Sequence, residues 1–68
     1  MSMISTENIN ILTPREKEVA LLIVDGIKTN VIAKKLAIKS NTVSTIKRNI
    51  FKKLSIESEV GLYKIINP

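Results

Sequence analysis

With 68 residues, eleven Lys or Arg against six Asp or Glu and a formal net charge of +5, the chain suffices for one small domain but not for a deep substrate pocket. It has no cysteine and no histidine, which removes disulfides, thiol nucleophiles and the usual metal-ligating and acid–base side chains. No nucleophile–base pair, metal set or phosphate loop can be assembled from what remains, so no enzyme, cofactor, metal site or small-molecule ligand is expected. Nothing reads as a signal peptide, and no apolar run approaches the roughly 18 residues of a spanning helix, so the expected compartment is the cytoplasm, with no membrane partner.

Residues 1–11 lack a sustained helical period and read as a flexible arm or linker, with Ile11 and Leu12 able to dock on a core. Thr13-Pro14-Arg15-Glu16 is a helix start: Thr13 caps, Pro14 suits the first helical position, and Glu16 can reach back to close a capping box. Glu16 and Glu18 are read as a cap and an ion-pair partner. Val19, Leu22 and Ile23 share one face, and Gly26 ends the helix. A second cap is expected at Thr29, before a short helix burying Ile32, Ala33 and Leu36, with Lys34 and Lys35 solvated. Ala37-Ile38-Lys39 forms a tight connection, and a third helix follows Lys39 or Ser40 to about Leu54. A last helix runs from about Ser58 to Ile66. The fold class is all-α, four helices and no strand, with the domain over 12–68.

Between Gly26 and Ile56 every charged side chain is Lys or Arg. On the third helix, at about 100° per residue, Val43, Ile46, Ile50 and Leu54 share one side with Phe51 at its edge. Asn41, Ser44, Thr45, Arg48 and Lys52 share the other, with Thr42, Asn49 and Lys53 along a border. An ordinary solvated helix face mixes Glu with Lys, because opposite charges three or four residues apart stabilise it. This face mixes hydroxyls, amides and cations instead. Small polar groups permit close approach, and Arg48 can present its fork to guanine O6 and N7, which suits a DNA major groove. A short helix, a tight turn and a longer helix with a basic polar face make a helix-turn-helix.

The pieces "LTPREKEV" at 12–19, Gly26, "IAKKLAI" at 32–38, "TV" at 42–43 and "NIFKKLSI" at 49–56, in this order and spacing, resemble the LuxR-type (FixJ- or GerE-type) DNA-binding domains. The likeness covers residues 12 to about 66. It implies a four-helix domain whose third helix, about 40–54, enters the major groove of double-stranded DNA to regulate transcription. It implies base contacts from Ser44, Thr45 and Arg48. Backbone contacts are implied for Lys47 and Lys52, for Lys39, Asn41 and Thr42, and for Thr29 and Asn30. It implies a homodimer on DNA through the last helix, for which Val60, Leu62, Tyr63 and Ile66 are the candidate seam; RNA polymerase is a further candidate partner. Gly61 fits either a close helix crossing there or a weak point of the helix. Such domains form the output half of response regulators, and small stand-alone regulators also occur; the opening "MSM" favours an excised domain.

The sequence also departs from that family's pattern. Lys39 stands where Ser is usual, Val31 where a polar residue is usual, Ile46 where His is frequent and Glu59 where Arg is frequent. Ser44 and Thr45 replace a Lys-plus-apolar pair, so a different preferred DNA sequence is expected. The competing reading is a basic module that binds an acidic protein partner, and sequence preference on DNA discriminates the two.

Overall fold

The structure, a computed structural model, describes residues 10–67. Among the described residues four helices run in chain order: α1 (Pro14–Val24), α2 (Thr29–Leu36), α3 (Ser40–Leu54) and α4 (Glu59–Ile66). No strand occurs among the described residues, as the all-α reading expects. Of the arm expected at 1–11, residues 1–9 lie outside the described residues. Ile11 is exposed while Leu12 is buried, so only the second of the two docks.

The start of α1 follows from its side chains. The Thr13 hydroxyl accepts from the Glu16 N–H at 3.1 Å, and the Glu16 carboxylate accepts from the Thr13 N–H at 2.9 Å, a complete capping box with Pro14 just inside. Gly26 takes φ +83°, the left-handed conformation that glycine adopts without a Cβ penalty, and turns the chain toward α2. Ala37 and Ser55 end α2 and α3 in the same region, at φ 58° and 56°. The expected cap at Thr29 is corrected: the N-cap is Lys28, in extended conformation, and Thr29 is the first helical residue.

Helix α1 is the hub, packing on α3 and α4, while α2 packs mainly on α3. Val19 and Ile23 of α1, Ile32 of α2, Val43 and Ile50 of α3 and Leu62 of α4 meet in one cluster that includes the fully buried side chains. This aligns the third-helix stripe with the core as its periodicity requires; Ile46 and Phe51 lie half-buried at the margin. Gly61 allows a close approach within the domain: a Cβ there would stand 3.0 Å from Cβ of Ile56, in the α3–α4 connection.

Glu16 ties the two ends of this arrangement together. Its carboxylate also accepts from Lys53 Nζ at 2.8 Å, joining the first turn of α1 to the last turn of α3. Burial alone raises the pKa of the Glu16 carboxyl. The hydrogen bond from Lys53, the bonds from Thr13 and the Lys53 charge outweigh it and hold the group below its ordinary value. A carboxylate with a depressed folded-state pKa contributes stability that is complete above its unfolded value and disappears as pH falls through the folded one. Thermal melts should therefore show Glu16→Gln, which keeps the capping geometry and loses the charge, about 1 kcal/mol less stable near neutrality. The gap should close only as pH falls below the ordinary carboxylate range and through the lowered folded-state pKa, where the wild-type carboxyl becomes protonated; an equal gap at all pH values would remove the ion pair from the explanation.

Candidate nucleic-acid interface

Burying Val43, Ile50 and Leu54 turns the opposite side of α3 to solvent. That side presents Asn41, Thr42, Ser44, Thr45, Arg48, Asn49 and Lys52, all exposed. The three residues assigned to base edges thus share one accessible face. Among the described residues, neither Arg48 nor Lys52 engages an acid, and neither does Lys39. The Thr45 hydroxyl donates to the Asn41 carbonyl at 3.1 Å, so its proton is committed within the helix and it offers outward only a methyl group and an acceptor oxygen.

The ends of α2 and α3 add to this surface. Lys28 and Lys39 are the N-caps, both extended, and neither makes a side-chain capping bond. Neither helix has an acid in its first turn, whereas α1 and α4 do. A helix start carries unsatisfied N–H groups and a partial positive charge, which favour an acceptor or an anion. Placing a lysine there twice leaves the local requirement open on both helices. Departures of this kind from local preference are characteristic of binding surfaces. Thr29 is half-buried and Asn30 exposed beside the first of these starts, and Val31 is exposed.

Two lysines of α3 are engaged by acids within the domain. Lys53, on the border of the polar face, is the Glu16 partner. Lys47, expected near the backbone of a ligand, pairs with the Glu59 carboxylate of α4 and lies with its Nζ 5.7 Å from the centre of the Phe51 ring. Neither partner is within helical reach, being 37 and 12 residues away, so no local spacing in the sequence points to them. Arg15 and Glu18, by contrast, form the local surface pair that the chain order permits.

On α4, Val60 and Tyr63 are exposed at 63% and 53%, and Ile66 is half-buried. Leu62 is corrected: it is fully buried between α4 and the rest of the core, so it cannot face a second copy. Among the described residues no cluster of carboxylates could hold a metal ion, and no helix is long and apolar enough to cross a membrane.

The sequence profile of the family described as bacterial regulatory proteins, luxR family, matches residues 10–66 of the chain, all four helices. The chain belongs to the luxR family of bacterial regulatory proteins. As a luxR-family chain it is a helix-turn-helix, DNA-binding unit of the transcription-regulator class. It is 45% identical over 51 residues to the response regulator GacA of Pseudomonas protegens, an alignment covering 75% of this chain and 24% of that protein. To the transcriptional regulatory protein DesR of Bacillus subtilis it is 45% identical over 51 residues, 75% of this chain and 26% of that one. To the nitrate/nitrite response regulator protein NarL of Escherichia coli it is 36% identical over 53 residues, 78% and 24% respectively. The luxR-family chain therefore spans about a quarter of the length of these curated relatives. No solved structure matched it.

Proposed function

We propose that this chain recognises a specific double-stranded DNA sequence by laying α3 in the major groove, as the output domain of a response regulator or as a small stand-alone regulator. The observation that carries the reading is the composition of the exposed α3 face: hydroxyls, amides and unpaired cations, with no carboxylate. Arg48 presents a two-pronged donor that matches guanine O6 and N7. Ser44 offers a freely rotating hydroxyl. Thr45, its proton held by Asn41, reads as an acceptor for an adenine or cytosine amino group, or packs its methyl on thymine. Lys39, Asn41 and Thr42 at the start of α3, Thr29 and Asn30 at the start of α2, and Lys52 along the groove edge take the phosphates. Two helix starts with lysine caps and no acid in their first turns favour an anion such as a phosphate.

Dimerisation on DNA goes through Val60, Tyr63 and Ile66, whose apolar surface exceeds what one buried stripe requires. A two-fold pair would set the recognition helices about 34 Å apart, one DNA turn. The names of relatives such as the response regulators GacA and NarL support a response-regulator parent; a cytoplasmic setting and RNA polymerase as a downstream partner complete the proposal.

Fluorescence-anisotropy titration against duplex DNA at several salt concentrations tests the phosphate half of this reading. Lys39→Ala should weaken binding to all sequences alike and lower the slope of log K against log salt by about 1 per protomer. A loss confined to one sequence would assign Lys39 to a base instead. Salt-dependent binding without any sequence preference would favour the acidic-partner module.

A further inference from the structure

Glu59 brings a carboxylate into a basic corner of the domain. A shallow recess lies where the turn after α1, the start of α2, the middle of α3 and the first residue of α4 converge, and its lining includes Lys28, Thr29, Lys47 and Glu59. Lys28 and Thr29 are the uncapped start of α2. Lys47 projects into the recess from α3, and its ammonium is held by Glu59. The pair is not sealed in the core: the side chains are 30% and 57% exposed. The Glu59 carboxylate takes the Lys47 ammonium that a phosphate oxygen would otherwise take, and it does so in the free protein.

We infer that Glu59 is an affinity-limiting residue that occupies on Lys47 the place of a DNA phosphate, removing one phosphate contact from the interface. The inference rests on the proposed docking of α2 and α3 on the duplex. Binding of a cation to DNA gains from release of the counterions condensed on the phosphates, and a lysine already neutralised within the protein contributes little to that release. The pairing also fixes the long Lys47 side chain beside Phe51. Because the effect is exerted on the phosphate backbone, it is blind to sequence and acts on specific and non-specific sites alike.

Glu59→Gln keeps the size of the side chain and removes its charge. Wild type, Glu59→Gln, Lys47→Gln and the double variant are titrated with a random-sequence duplex between about 50 and about 200 mM salt, and each is melted in parallel. Glu59→Gln is expected to bind about three- to tenfold tighter at the low end of that range and to steepen the salt slope by about 0.9. In the Lys47→Gln background the steepening should vanish, because the cation that would take the phosphate is absent. Unchanged affinity and slope for Glu59→Gln overturn the inference, as does a steepening that persists without Lys47. Weaker binding accompanied by a lower melting temperature also overturns it, since the pair would then be a brace for α3. A wild-type chain with no affinity for any duplex overturns the underlying DNA reading itself, and the two failures are thereby distinguished.

Discussion

Leu62→Ala is expected to destabilise the domain by about 2–5 kcal/mol, the range for truncating a fully buried leucine that leaves a cavity its neighbours cannot fill. Leu62 has no accessible surface and meets the α1 side chains against which α4 is packed. A domain of this size holds only a small free-energy margin, on the order of 3–10 kcal/mol. Truncation should therefore lower the melting temperature by roughly 10–30 °C and leave a good part of the population unfolded near 37 °C. Val60→Ala and Tyr63→Ala, one helical turn apart on the exposed side of α4, should leave the melt nearly unchanged and weaken only the assembly of two copies on DNA. Circular-dichroism melts of the three variants separate the roles. A Leu62→Ala melt that overlays the wild type would take Leu62 out of the core and return it to the surface.

Arg48→Ala is expected to cost about 1–3 kcal/mol on the preferred DNA site and to relax the preference at a single base pair. Arg48 is exposed in the middle of α3, without an acidic partner among the described residues, on the same face as Ser44 and Thr45. Its guanidinium can donate two parallel bonds to guanine, and alanine donates none, so the wrong bases lose less than the right one. On random duplex the loss should be smaller and should follow the salt slope alone. Equal losses on preferred and random DNA would make Arg48 a phosphate contact.

Much of the fold was legible because its determinants are local. The Thr13–Glu16 box, Gly26 at the end of α1 and the three-and-four spacing of Val43, Ile46, Ile50 and Leu54 each require only neighbours in the chain. The cap of α2 was not legible: side-chain chemistry favours Thr29, and the backbone instead leaves Lys28 extended at that place. The orientation of α4 was only half legible. Five of its eight residues are apolar, so hydropathy does not say which stripe turns inward, and packing on α1 selects Leu62 over Val60 and Tyr63. The polar face of the candidate interface followed from α3 alone. Its tuning did not, since the acids that occupy Lys47 and Lys53 arrive from other helices.

The most direct test of sequence recognition through α3 is selection of a random double-stranded DNA library on the wild-type chain, with Arg48→Ala selected in parallel. Enrichment of a short motif containing a guanine whose preference Arg48→Ala loses is expected, with inverted half-sites about one turn apart. Salt-dependent retention of the library without enrichment of any motif would contradict it.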